Sequence, residues 1–273
     1  MADVLKGFGY LPSSFSKNNF SLYKEEARTL TTRALTRGNT VYPQICCLQE
    51  VESMQVLRIF NEKYLENKYP YALLIDSHDP RLTDIGIISM YPVSKILSHM
   101  DERDARRNYL FSRDCLEVTF DINGTPLTLF VNHLKSKYGR SKKEKDNADK
   151  RRQMQAERIS EILKQRFPGT AYDSELFAVL GDFNDHPDSE VLLPLLKDAG
   201  LENIIERLSK TERWTHWWAS KNLVGQLDYI LLSPALSRSS SGLPVIERRG
   251  ISSKRKKSYF AISCDKRGQE NRF

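Results

Sequence analysis

The chain has 273 residues and a mass of 31.6 kDa, a length that suits one large domain or two small ones. Its 40% hydrophobic and 28% charged residues can form a sizeable core, and only 13 glycines and 11 prolines exclude a collagen-like or low-complexity chain. The body contains no linker-like stretch. We therefore predict one domain over residues 1–250, followed by a poorly ordered basic tail over residues 251–273.

The net charge of +7 is concentrated in two segments. Residues 135–152 contain nine lysines or arginines and three acids, and residues 248–257 contain six basic residues and no acid. The two segments together carry +12, so the rest of the chain carries −5. On charge alone, each segment can be a solvated loop or a surface that meets a polyanion.

The four cysteines, at positions 46, 47, 115 and 264, include no C-x-x-C pair. We expect reduced, buried thiols rather than a disulfide or metal framework. The sequence shows no signal peptide, and no stretch approaches the roughly 18 apolar residues of a membrane span. We expect a cytoplasmic monomer.

Strands and helices alternate along the chain, and each is predicted from its apolar spacing and its flanking turn residues. In chain order we predict a strand at 45–48, a helix built on 56–64, strands at 71–75 and 85–89, hairpin strands at 116–120 and 127–131, a helix over 148–167, and strands at 176–180 and 229–232. Asn123-Gly124 marks the hairpin turn, and the serine-rich run Ser237 to Ser241 resembles a loop.

Hairpin-paired strands with helices between others favour an α+β layered sandwich over a doubly wound parallel sheet. The sequence contains no G-x-G-x-x-G and no G-x-x-x-x-G-K, so it lacks the motifs of dinucleotide-binding and P-loop folds.

Four strands end in polar residues that suit a site at the rim of a sheet. They are Gln49-Glu50, Asn132-His133, Asp182-Phe183-Asn184-Asp185 and, in the last strand, Asp228. Strands hold such terminal side chains rigidly and can bring them to one point. A single strand-end Asp is usually a turn or cap residue, but four such strands indicate a functional site.

These segments carry a family resemblance. In order and spacing, Leu48-Gln49-Glu50-Val51, Asn132-His133-Leu134-Lys135-Ser136, Gly181-Asp182-Phe183-Asn184-Asp185 and Gln226-Leu227-Asp228-Tyr229-Ile230 resemble the motifs of the endonuclease/exonuclease/phosphatase superfamily. Asp84-Ile85-Gly86-Ile87-Ile88-Ser89 and Phe111-Ser112-Arg113-Asp114 resemble segments of its bacterial nuclease-like branch. The resemblance covers residues 15–250. It implies a DNase I-like, four-layer α/β/β/α sandwich, incomplete at both ends.

The resemblance also implies a metal-dependent hydrolysis of phosphate esters. Glu50 corresponds to the metal ligand, for Mg²⁺ or Mn²⁺, and Asp182 to the carboxylate that orients or deprotonates the attacking water. Asn184, placed by an extended segment on the side of Asp182, would hold that water or a phosphate oxygen. His133 would donate to the phosphate. Asp228 corresponds to a residue that orients a second catalytic histidine.

Three further residues are expected to bind the substrate, namely Arg113, Asn132 and Lys135. Two family features are absent: no Ser-Asp-His follows Asp228, and Ser16 stands where the family has Asn, with Asn19 as a substitute. Loss of a catalytic histidine lowers a rate by about 10²–10⁴-fold, so we expect impaired activity.

Three functions remain open from the sequence. The first is a nuclease, because the basic segment 135–152 directly follows the His133 motif and could screen a polyanionic backbone. The second is a phosphatase acting on a phosphorylated lipid or sugar, and the third is a non-catalytic nucleic-acid-binding relic. His216, in the aromatic run Trp214 to Trp218, either packs in the core near the Asp228 strand or stacks on a base or sugar.

Overall fold

The computed structural model describes residues 25–38, 40–81, 83–248, 263–264 and 270–271. Its helices are α1 (Glu25–Leu35), α2 (Met54–Tyr64), α3 (Lys142–Arg166), α4 (Ala171–Ser174), α5 (Leu193–Leu196) and α6 (Pro234–Ser239). Its strands are β1 (Ile45–Val51), β2 (Tyr71–Leu74), β3 (Asp84–Ser89), β4 (Val93–Ser98), β5 (Cys115–Ile122), β6 (Thr125–His133), β7 (Phe177–Asp182), β8 (Glu202–Asn203), β9 (His216–Trp218), β10 (Leu223–Gly225), β11 (Asp228–Leu232), β12 (Ser263–Cys264) and β13 (Glu270–Asn271).

Two predictions fall on residues that are not described. Ser16 and Asn19 lie outside the described residues, and so does all but four residues of the predicted tail, 251–273. The serine-rich run was predicted wrongly as a loop, because α6 extends through Ser239. Ser233 caps that helix by accepting the backbone N–H of Leu236, and Pro234 fits its first turn.

The strands of the domain form two sheets. The first has the order β1-β3-β2, and the second has the order β4-β5-β6-β7-β11-β8. In the second sheet, β6 and β7 pair in parallel, whereas its other neighbours are antiparallel. Strands β9 and β10 form a separate hairpin that leads into β11.

Three apolar clusters separate four layers, which confirms the predicted α/β/β/α sandwich. The inner faces of the two sheets meet in the central cluster, which includes Ile87, Val118 and Val131. On the outer face of the larger sheet, Ile159 of α3 packs with Phe130. Helix α2 covers the smaller sheet in the same way, through the third cluster. Cys46 and Cys47 join different clusters, as side chains that alternate along a strand must.

Cys46, Cys47 and Cys115 are free thiols, of which Cys46 and Cys115 are buried and Cys47 is partly buried. Within the described residues, no helix combines the length and apolar character needed to cross a membrane.

Gly181 fixes the junction of the two parallel strands. Its φ is +131°, and a Cβ there would lie 1.8 Å from the carbonyl oxygen of Asn132 on β6. Only glycine permits so close an approach of the two backbones. The residues that follow this junction on each strand, His133 and Asp182, are consequently brought side by side.

Candidate active site

Three of the expected catalytic residues form one row across three adjacent strands. His133 on β6 pairs with Asp182 on β7, and Asp182 pairs with Asp228 on β11. Paired residues project from the same face of a sheet. Val131 precedes His133 by two residues, Leu180 precedes Asp182 by two, and both belong to the cluster between the sheets. The row therefore lies on the inner face of the larger sheet, at its open edge.

Glu50 reaches the same edge from the other sheet through a β-bulge. Between the pairs Leu48–Gly86 and Val51–Asp84, β1 advances three residues while β3 advances two. Both Leu48 and Val51 pack on the α2 side, so the extra residue reverses the alternation of side chains. Glu50 takes a φ of +59° at this point and is exposed rather than buried under α2. The bulge thereby turns its carboxylate toward the row.

Asp182 has an unusual protonation equilibrium. Burial is the main cause that raises the pKa of its carboxyl to about 6, and the negative charges of Asp228 and Glu50 raise it further. The backbone N–H of Asn184, 2.8 Å from Oδ1, and the charge of Arg113 oppose the increase. Burial also raises the pKa of Asp228. A carboxylate with a pKa near 6 is ionised at neutral pH and is a stronger base than an ordinary aspartate.

His133 is held neutral beside Arg113. Burial, together with the positive charges of Arg113 and Arg81, lowers the pKa of His133 to about 3. Arg113 Nη1 lies 2.7 Å from Nε2 of His133, and its Nη2 donates to the carbonyl of Leu134 at 3.1 Å. A guanidinium only donates, so the ring must offer it a lone pair. With Nε2 accepting from Arg113, the one N–H of the neutral ring is on Nδ1. Asp182 Oδ2 lies 3.6 Å from Nε2, beyond hydrogen-bond distance.

Asn184 reaches the site by a different route from the one predicted. Its φ of +55° is left-handed, so the segment after β7 is turned and not extended. Asparagine tolerates this conformation better than most residues. The side chain donates to the carbonyl of Leu134 at 3.1 Å, which joins the loop after β7 to the loop after β6.

A buried ion pair fixes the same two loops. Arg152 of α3 is fully buried and donates to Asp185 Oδ2 at 2.7 and 3.0 Å and to the carbonyl of Lys135 at 2.8 Å. Asp185 also contacts Lys137, and its carbonyl accepts the hydroxyl of Tyr229 on β11 at 2.8 Å. The network ties α3, both loops and β11 together, so the positions of the row residues are set by tertiary contacts.

Two residues lie elsewhere than the sequence suggested. Asn132 is fully buried, donates to the carbonyl of Phe130 and, one residue before His133, does not join the row. His216 is exposed, so the expectation that it packs in the core is wrong. It lies on β9 next to Thr215, whose hydroxyl accepts the backbone N–H of Asp228 at 3.1 Å. The charge of His216 lowers the pKa of Asp228, which otherwise rises through burial.

The donor set at this edge fits a hard divalent cation. Glu50, Asp182 and Asp228 are carboxylates whose mutual repulsion is visible in the raised pKa of Asp182. Within the described residues, no three or more His, Cys, Asp or Glu side chains are grouped so that together they could hold a metal ion. Mg²⁺ does not require such a group, because it usually binds one or two protein carboxylates and keeps several waters.

The sequence of residues 6–237 matches the model of the Endonuclease/Exonuclease/phosphatase family. The chain belongs to this family. The endonuclease/exonuclease/phosphatase superfamily consists of metal-dependent phosphoesterases, so this member falls among the hydrolases that act on phosphate ester bonds. None of the curated protein sequences matches the chain.

Solved structures share the fold at low sequence identity. The human Nocturnin catalytic domain with a bound sulfate anion is 19% identical with a TM-score of 0.58, covering 78% of this chain and 77% of that one. A variant of beta toxin from Staphylococcus aureus with bound magnesium ions is 14% identical with a TM-score of 0.55, covering 77% and 78%. Sphingomyelinase C from Streptomyces griseocarneus is 15% identical with a TM-score of 0.52, covering 77% of each chain.

Sequence reasoning missed two residues that support the site of this family member. Asp79 is buried and accepts two hydrogen bonds from Arg81, at 3.1 and 2.8 Å. Burial opposes ionisation, yet the bonds from Arg81 lower the pKa of Asp79 to about 2. Asp79-Pro80-Arg81 is a loop sequence without a motif, and only the spacing of two opposite charges could have drawn attention to it.

Proposed function

We propose that the protein is a nuclease that hydrolyses phosphodiester bonds in a Mg²⁺-dependent reaction, in which Mn²⁺ can substitute. The observation that carries the proposal is the register of His133, Asp182 and Asp228 across β6, β7 and β11, with Glu50 turned toward them by the bulge. Phosphodiester hydrolysis requires an activated water and stabilisation of negative charge on the phosphate, and this edge combines groups for both.

Glu50 would hold the metal ion, which when bound withdraws negative charge from the phosphate. Asp182 accepts a proton from the attacking water, because its carboxylate is ionised at neutral pH and unusually basic. The water oxygen bonds to phosphorus as the bond to the leaving oxygen breaks. Asn184 lies beside Asp182 and orients the water or a phosphate oxygen.

The phosphate oxygens are bound by donors on the other side of the row. His133 contributes the N–H of its neutral ring, and Arg113 contributes positive charge from its position against that ring. Lys135 follows His133 by two residues and adds positive charge next to this anion-binding group. A charged hydrogen bond to phosphate is roughly twice as strong as a neutral one, so these contacts favour the more negative transition state.

The leaving oxygen needs a proton, and we assign its delivery to His216. This imidazole is exposed, and its charge interacts with Asp228, the last residue of the row. The ring packs edge-on against Trp218, with centroids 4.6 Å apart. Protonated His216 releases its proton to the leaving oxygen, so an imidazole takes part although the chain has no Ser-Asp-His after Asp228.

A polyanionic substrate agrees with the charge around the site. The first turns of α3 expose lysines at 142, 143, 145 and 150, and this helix begins nine residues after His133, the last residue of β6. Positive charge at this place would screen a nucleic-acid backbone.

The test is cleavage of single-stranded DNA, plasmid DNA, abasic-site DNA and RNA by purified protein with and without Mg²⁺. We expect metal-dependent cleavage that is lost in both Glu50→Gln and Asp182→Asn. Glu190→Gln and Asp198→Asn remove exposed carboxylates elsewhere and serve as matched controls. Steeply salt-dependent binding of nucleic acid without cleavage would refute the proposal that the protein is an enzyme. Hydrolysis confined to a phosphorylated lipid or sugar would refute the proposal that it is a nuclease.

A further inference from the structure

Four basic side chains lie near one another on the His133 side of the site, and we term them the cationic cluster: Arg81, Arg113, Lys135 and Arg151. They belong to four separate segments, namely the loop before β3, the loop before β5, the loop after β6, and α3. Their convergence is consequently a property of the fold and not of the basic segment at 135–152 alone.

A single buried carboxylate, that of Asp79, lies next to two members of the cationic cluster. Asp79 accepts bonds from Arg81, and its Oδ2 lies 3.5 Å from Arg113 Nε. The Arg81 side chain remains 58% exposed, whereas that of Arg113 is only 4% exposed. The pair of guanidinium groups around one carboxylate leaves a net positive charge next to His133.

Helix α3 places the other two members together. Gln155 accepts the backbone N–H of Lys135 at 2.8 Å and donates to the carbonyl of Leu110 at 3.0 Å. Arg151, one turn earlier, donates through Nε to the same carbonyl at 3.2 Å. Its Nη2 also donates to a carbonyl, that of Tyr109. Gln155 thus brings the backbone of Lys135 close to the carbonyl that Arg151 binds, and the charge of Arg151 acts on Lys135. Asp104 compensates part of the charge of Arg151.

Carboxylates compensate only part of the positive charge of the cationic cluster. Across the part of the chain that the structure describes, no carboxylate lies within ion-pair distance of Lys135. Burial lowers the pKa of Lys135, and the like charges of Arg113, Arg151 and Arg81 lower it further. The charges of Asp182 and Glu50 raise the pKa of Arg113. These two carboxylates, however, are the ones that we assign to the attacking water and to the metal ion. Partly buried cations in such a cluster favour a bound anion.

We propose that Lys135 and Arg151 bind a second phosphate of a nucleic-acid strand, adjacent to the phosphate that His133 and Arg113 contact. The inference rests on the proposed nuclease function and narrows its substrate to one with phosphates on neighbouring nucleotides. A lone diester attached to a cationic headgroup would leave this pair unoccupied and be repelled by it. Arg151 is assigned by its position on α3, which no strand-end motif reveals.

The experiment uses three thymidine dinucleotides with the same internal phosphodiester. One has no other phosphate, one has an added 5′-phosphate, and one has an added 3′-phosphate. For the native protein with Mg²⁺ we expect the added phosphate at one of the two ends to raise kcat/KM by about 10-fold. In Arg151→Gln and Lys135→Gln this ratio should fall toward one. Lys197→Gln removes an exposed lysine beyond α5 and should keep the native ratio.

Binding in EDTA separates this inference from the proposed function. Without metal there is no turnover, and ligand-observed NMR can compare the affinities of the same three dinucleotides. We expect the favoured terminal phosphate to tighten binding of the native protein and not of Arg151→Gln, whose folding is checked by circular dichroism. If the native protein cleaves neither the dinucleotides nor polymeric DNA or RNA but shows this difference, the nuclease fails and the phosphate site stands.

Two results would overturn the inference. One is a native protein for which neither terminal phosphate changes kcat/KM or affinity. The other is an Arg151→Gln variant that keeps the full advantage of the added phosphate. Hydrolysis of phosphocholine lipid vesicles in preference to every dinucleotide would also overturn it.

Discussion

Asp182 is expected to destabilise the metal-free protein, so that Asp182→Asn should fold more stably while losing activity. Its pKa of about 6 in the folded state, against 3.8 for an ordinary aspartate, arises from burial and from the charge of Asp228. The difference of about two pKa units corresponds to about 3 kcal/mol at pH 8. The carboxyl is only 26% exposed, so solvent screens little of this effect.

The sign of the pH dependence follows from which state ionises first. Between about pH 4 and 6 the unfolded chain loses the Asp182 proton while the folded protein keeps it, so stability falls as pH rises through this range and is level above it. His133, with a pKa lowered to about 3, acts in the opposite direction, since stability falls as pH drops below 6.5. His133 is present in both proteins, and its contribution cancels in their difference.

The measurement is urea unfolding of both proteins in EDTA at pH 8 and pH 4.5. Asparagine still bears part of the burial penalty, so we expect Asp182→Asn to gain about 1–2 kcal/mol at pH 8, which raises the urea midpoint by about 0.5 M or more. At pH 4.5 the gain should be less than half as large. Asp198→Asn, on the surface, should show neither change. Equal or lower stability of Asp182→Asn at pH 8, or a gain independent of pH, would refute the reasoning.

Three further predictions test other parts of the site. Gly181→Ala should lower the free energy of unfolding by about 3 kcal/mol or more, because the added Cβ would meet a backbone carbonyl. The control Gly124→Ala lies at an open turn with φ of +88° and should lower it by only about 1 kcal/mol. Chemical denaturation measures both free energies. Millimolar Mg²⁺ should raise the native Tm by about 3–6 °C, and a similar rise in Glu50→Gln would contradict its role as metal ligand. His216→Gln should lower kcat by about 10²-fold with little change in KM. The ring of His186 also lies near Trp218, and the control His186→Gln should retain most activity. Equal losses in the two variants would exclude a specific role of His216.

The predicted stabilisation has a functional reason. Asp182 is a strong base because it is buried and lies near another carboxylate, and the same two causes destabilise the folded protein. A bound divalent cation would relieve that repulsion. On this assignment, metal binding would be coupled to stability through the same residues that we assign to the reaction.

From the sequence alone we predicted β1–β3, β5–β7, β11, α2 and α3, together with the polar residues at the strand ends, but not β4 or the hairpin of β9 and β10. Alternating apolar residues predicted β5 and β6, and Asn123-Gly124 predicted their turn, where the two φ angles are +53° and +88°. These signals are local, because side chains alternate along any strand and few residues accept a positive φ. The order of the strand-end motifs also sufficed to predict the family.

Only the tertiary structure decided how those residues meet. The direction of Glu50 depends on a bulge opposite β3, and the contact between His133 and Asp182 depends on a glycine that lets two distant strands approach. Asp79, Arg151 and His216 enter the site from segments without a motif. Their roles arise from register and packing between parts of the chain that are far apart in sequence, and local patterns of polarity do not encode those distances.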